Sequence, residues 1–160
     1  MVRRFAVAAV VFSGMTLLAP PAHAADSSAL CSVAGTVAST PGVGYAPQSG
    51  TYELKGTLDC QSGAQKHGEM TGTGTGTIGC IGGSSIAALK VDWGGGKTST
   101  MKVQLGDFLY GTGGYGTVED GEFKGAHVGL GWGREAAGAE MQCATGGVKS
   151  YEIAGGMMFG

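Results

Sequence analysis

Little in this sequence favours helix, charge or catalysis. Charged residues make up 14% of the chain, aromatics 8%, and proline occurs 4 times in 160 residues. No run of Lys or Arg is present, which argues against nucleic acid or an anionic membrane surface as partner. Good helix formers rarely follow one another, and in the body of the chain only Arg134–Glu140 (REAAGAE) offers a helical turn, which Gly138 cuts short. No Gly-x-Ser-x-Gly elbow exists, since Gly82-Gly-Ser-Ser-Ile86 lacks the closing glycine. Two stretches, Gly74 to Gly79 and Gly111 to Gly116, match Gly-x-Gly-x-x-Gly, but neither opens a helix after a buried strand, so neither is read as a dinucleotide site. A zinc site needs three or four ligands, and the cysteines are better used in bridges, so no metal and no cofactor are expected.

The amino terminus has a clear character. Met1-Val-Arg-Arg supplies positive charge, Phe5 to Leu18 (FAVAAVVFSGMTLL) an apolar stretch, and Ala22-His23-Ala24 a small-x-small cleavage site. Residues 1–24 are read as a secretory signal peptide, and 25–160 as one domain exported to an extracellular compartment. The apolar stretch, broken by Ser13 and Gly14, is too short to span a bilayer, which takes about 20 residues, so no membrane span is expected. Cys31 lies well beyond it and follows Leu30, which does not suit a lipid-attachment site. Loss of Arg3 and Arg4 takes the formal charge from -2 to -4, leaving a mildly acidic domain.

Glycine is abundant, at 33 residues, without the three-residue period of collagen. The 4 cysteines, Cys31, Cys60, Cys80 and Cys143, suggest two disulfides in an oxidising compartment. Strand periodicity chooses the pairing. Cys31, Val33, Gly35 and Val37 share one face of an alternating segment, and Tyr52, Leu54, Gly56, Leu58 and Cys60 share one face of another. Pairing them antiparallel with Cys31 opposite Cys60 sets Val33 against Leu58, Gly35 against Gly56 and Val37 against Leu54, whereas a one-residue slip mismatches every position. This leaves Cys80 to Cys143 as the second bridge.

Met70 to Cys80 places glycines inward and Thr71, Thr73, Thr75 and Thr77 outward, and the space above the glycines calls for a bulky filler, for which Trp93 fits. Ala87, Leu89, Val91 and Trp93 face Met101, Val103 and Leu105 across a Gly94–Thr98 turn. Gly111–Gly116 reads as a link. Glu119-Asp120-Gly121 then reads as a tight turn between Gly116–Val118 and Glu122–Phe123. Ala126, Val128, Leu130 and Trp132 form the core face of the next strand, with His127, Gly129, Gly131 and Gly133 behind, and Met141–Cys143 and Lys149–Phe159 close the chain. About eight short strands without helices between them predict an all-β fold, an antiparallel barrel or sandwich. The thinned inner positions lean towards the barrel.

From Ile86 onward the chain carries a Trp-x-x-Gly-x-x-Ser hairpin (Trp93, Gly96, Ser99), a Gly-x-Phe-x-Gly turn (Gly121, Phe123, Gly125) and a late cysteine. In this it resembles small secreted proteins of actinobacteria. The resemblance implies a secreted β-domain and no particular activity.

Candidate sites follow from exposure and chemistry. His127 projects from a strand face otherwise bare of side chains, where glycine lets a ligand approach backbone, and Trp132, Tyr110 and Tyr115 are the nearby aromatics. The mouth of a barrel is the other place for a site. The leading expectation is a non-enzymatic extracellular or envelope-associated binding module for a small molecule, glycan or protein. The alternatives are a hydrolase or isomerase using His127 with a carboxylate, and a protease inhibitor or effector presenting Lys66 from the polar loop Gln61–Glu69, which also holds His67. The carboxylates Glu119, Asp120 and Glu122 read as solvation of a turn, and the threonine stripe as an exposed strand face.

Overall fold

The computed structural model describes residues 28–108, 111–134 and 147–160. They form eight strands: β1 (Ala29–Val43), β2 (Gln48–Cys60), β3 (His67–Ile78), β4 (Gly83–Gly94), β5 (Lys97–Phe108), β6 (Gly111–Gly121), β7 (His127–Arg134) and β8 (Val148–Phe159). Each pairs antiparallel with the next and β8 pairs back onto β1, so the sheet closes into a barrel. The all-β, antiparallel expectation holds, and closure decides for the barrel over the sandwich.

The β1–β2 register is the one the alternation dictates, with Cys31 opposite Cys60, Val33 opposite Leu58, Gly35 opposite Gly56 and Val37 opposite Leu54. Cys31 and Cys60 form a disulfide. The other expected bridge cannot be traced, because Cys143 lies outside the described residues; Cys80 is buried and is not a free thiol. The expected signal peptide, the REAAGAE turn, the Met141–Cys143 strand and Tyr110 also fall outside the described residues.

An eight-stranded barrel has an interior just wide enough for its own side chains. Inward-facing Leu54, Leu58, Met70, Val91, Met101, Val103, Val118, Val128 and Met157 are fully buried, each worth roughly 1.5–3 kcal/mol of burial. They fit because large residues stand opposite small ones. Leu89 lies over Gly72, Tyr52 over Gly74, and Leu105 over Gly114, each pair directly opposed on neighbouring strands, and a Cβ on any of these glycines would collide with the side chain above it. The filler over Gly72 and Gly74 is therefore Leu89 and Tyr52 rather than Trp93. Trp93 sits instead over Gly68, near the end of the barrel.

Three other expectations are corrected. Gly111–Gly116 is not a link but the first half of β6, paired residue by residue with β5 and β7. The turn that follows is Glu122–Gly125, one step later than the Asp120-Gly121 pair suggests. Gly121 still pairs with Ser99 on β5, in a left-handed conformation (φ 87°), and the Glu122 N–H continues the contact by donating to Thr98 O at 2.8 Å. His67 does not lie in a loop: it opens β3 opposite Asp59, with Nδ1 2.9 Å from Asp59 Oδ1.

The end of the barrel that holds both described termini is closed by aromatics. Phe123 and Phe159 stack at 4.8 Å, and Trp93 meets them edge-on at 5.5 and 6.0 Å. Trp93 Nε1 donates to Ser99 Oγ (2.8 Å), and Ser99 Oγ donates to Glu122 O (2.6 Å). Trp93, Ser99 and Phe123, three of the residues that carry the sequence resemblance, thus belong to the plug of this end, tied together by packing and hydrogen bonds.

Candidate functional site: the polar end of the barrel

The opposite end is built differently. Near it the inward positions of the strands turn polar: Ser39 on β1, Tyr52 on β2, Ser85 on β4, Asp107 on β5, Thr112 on β6, and Trp132 and Tyr151 on β7 and β8. Val37, Ile78 and Leu105 are the apolar floor, so each of the eight strands contributes to one small chamber. Its free volume is about 10 Å³, room for roughly one water-sized group.

Most of the polar atoms are satisfied within the protein. Tyr52 Oη and Ser85 Oγ share a hydrogen bond of 3.1 Å, Thr112 Oγ1 donates to Asp107 Oδ1 at 2.6 Å, and Ser39 Oγ donates to Pro41 O at 2.8 Å. Burial, together with the nearby Asp107 carboxylate and Tyr151, pushes the Tyr52 phenol up to about 12 against the pull of its bond to Ser85. Tyr52 is therefore a neutral hydroxyl at any physiological pH. The exception is Trp132: its ring is 5% exposed, and Nε1 is buried with no hydrogen-bond partner among the described residues. A buried donor left unpaired costs about 1–3 kcal/mol. Such groups are rare in native chains, and a water, an ion or a ligand atom is among the things that complete them.

The residues singled out from sequence are separated by this geometry. Trp132 points into the chamber. His127 and Tyr115 are exposed on the outside of the sheet, His127 opposite Thr117 and Tyr115 opposite Gly129. His127 sits at the aromatic end, where its backbone exchanges hydrogen bonds with Gly160. Tyr115 Oη donates to Gln104 Oε1 at 2.8 Å. Lys66 ends a loop whose main chain is tied down: Cys60 N–H donates to Lys66 O at 2.8 Å, and buried Gln65 reaches Glu122 Oε2 at 2.9 Å. Among the described residues no group of three or more His, Cys, Asp or Glu is placed to hold a metal ion.

Sequence reasoning missed Tyr52, Ser85, Asp107 and Thr112 as a group. A signal existed: each falls on the inward parity of its strand, where Leu, Val or Gly stand elsewhere, and each lies towards the same end. What the chamber offers chemically is hydrogen bonding without an imidazole or thiol, since both described histidines lie towards the aromatic end. Comparison with known proteins finds no matching family model, no similar curated protein and no similar solved structure.

Proposed function

We propose that this is a secreted, non-enzymatic binding barrel, and that its polar end takes up a small molecule through a single oxygen-bearing group. The observation that carries the reading is the buried Nε1 of Trp132, unpaired among the described residues, on a side chain that lines a chamber of about 10 Å³. A carbonyl or hydroxyl tip is the size of group that fits, and it would accept from Trp132 beside the Tyr52–Ser85 hydroxyl pair. The chamber favours binding over hydrolysis because no imidazole or thiol lines it, and beside the hydroxyl that a carboxylate does hold, Thr112 on Asp107, the free volume of about 10 Å³ is too small for a substrate and an attacking water together.

Export is supported by the amino-terminal sequence and by the Cys31–Cys60 disulfide, which persists in oxidising compartments. Cys80 to Cys143 is the proposed second bridge, and kinship with small secreted actinobacterial proteins is part of the same reading. No helix among the described residues is long and apolar enough to cross a membrane. The barrel wall adds a positive argument. Midway along the strands its inner face is apolar, while Glu53, Lys55, Lys90 and Lys102 stand on the outer face at the same level. A barrel facing lipid has the reverse pattern.

The test is native mass spectrometry of the protein purified from the culture fluid of its source organism, beside a Trp132→Phe form prepared in the same way. The expected result is a small-molecule adduct on the first that is absent from the second. A bare protein, or an adduct that survives Trp132→Phe, would overturn the assignment.

A further inference from the structure

A second site stands on the outer wall. Between Ile86 and Tyr115, 58% and 67% exposed, strands β3 to β6 leave a groove of about 660 Å³. Its floor is bare backbone at Gly106 and Gly113, which oppose each other in register. Gly106 needs no glycine for the fold: its φ lies outside the left-handed region, and a Cβ there would meet nothing within 4 Å. A side chain at that position would only fill the groove.

The walls have a particular chemistry. Tyr115 is held to the neighbouring strand by its bond to Gln104 Oε1 (2.8 Å), which limits the freedom of an exposed ring and occupies the oxygen of the Gln104 amide rather than its donors. Thr75 and Ser84 add hydroxyls on the far side, and no residue lining the groove carries a charge. An aromatic ring beside an amide and hydroxyls, over a floor that admits a flat molecule to the backbone, matches sugar rings, which present C–H faces to aromatics and hydroxyls at their edges. A charged polymer would find no counter-charge, and a protein partner would find only two apolar side chains to bury.

We infer that this groove binds a neutral glycan chain. The inference is independent of the polar end and uses none of its residues' side chains except the edge of Ser85 and Leu105, which line both.

The experiment is titration of the purified protein with three neutral probes, cellohexaose, laminarihexaose and hexa-N-acetylchitohexaose, followed by calorimetry and by amide chemical shifts. At least one is expected to bind and to shift the amides of Gly106 and Gly113. Tyr115→Ala should weaken that binding by roughly tenfold or more, and Gly106→Leu should abolish it. Both positions face solvent, so each variant is expected to keep its thermal unfolding midpoint, which is measured alongside. Trp132→Phe should bind the glycan as the parent does, which separates this site from the polar end. No binding of any probe at millimolar concentration, or a folded variant of either kind that binds like the parent, overturns the inference.

Discussion

The phenol ring of Tyr52 lies directly against Gly74, its register partner on β3, and a Cβ on that glycine would run into the ring. Because the barrel interior has no slack, Gly74→Ala is expected to cost about 1–3 kcal/mol. Gly106→Ala, on the outer face with open space around it, is expected to be neutral or to stabilise by about 0.5 kcal/mol, since alanine loses less backbone freedom on folding. Urea unfolding should therefore show a lowered midpoint for Gly74→Ala and an unchanged or raised one for Gly106→Ala. Equal shifts would mean that inner and outer glycines are not the distinct classes described.

Ser99 is fully buried and links Trp93 to the Glu122 carbonyl. Ser99→Ala strands a donor and an acceptor together, and the expected loss is about 2–4 kcal/mol. Ser99→Thr keeps the hydroxyl, so it should recover the hydrogen-bonding part of that loss. A loss below about 0.5 kcal/mol in the alanine form would show that water replaces the serine at no cost.

Tyr52 sets a limit on alkaline stability. Its folded pKa is raised to about 12 from the ordinary 10, mainly by burial. The folded state thus holds the proton more tightly, and its contribution is complete below about pH 10. Stability should fall by up to about 1.4 kcal/mol per pH unit as pH rises from 10 towards 12, where the unfolded chain has ionised and the folded one has not. Tyr52→Phe should remove this component of the slope, as followed by unfolding at several alkaline pH values. A slope unchanged in the variant would assign the alkaline loss to other groups.

The Cys31–Cys60 bridge closes a loop of 29 residues in sequence separation. In the chain-entropy account that is worth about 3–4 kcal/mol, and the Cys31→Ser, Cys60→Ser double variant should lose that much. A non-reducing peptide map is expected to join Cys31 to Cys60 and Cys80 to Cys143. A peptide joining Cys80 to any other cysteine would refute the second pairing.

Period-two alternation made most of this fold readable. Placing Cys31 opposite Cys60 was enough to align Val33 with Leu58 and Val37 with Leu54, because a strand has only two faces and one of them had to be dry. The same rule exposes the weakness in grouping His127 with Trp132. The two are five positions apart on one extended strand, so they point to opposite sides of the sheet, one to solvent and one to the interior. Turn chemistry was less informative: Asp120-Gly121 has the composition of a tight turn, but Gly121 spends its positive φ on keeping its pairing with Ser99, and Phe123 carries the chain round after it. His67 looked like loop because its neighbours are polar, and only its pairing with Asp59 puts it on a strand. The polar end was hidden for a different reason. Its residues come from every strand, so they assemble only once the order and register of all eight are known.

Ala29 pairs with Phe159 across the β1–β8 seam, while every other seam joins strands consecutive in sequence. The domain is therefore a ring lacking one covalent link, and its beginning is a matter of where that ring was cut. A short linker across the seam, with a new opening at Gly95 in the β4–β5 turn, would give a circular permutant with the same set of neighbouring strands.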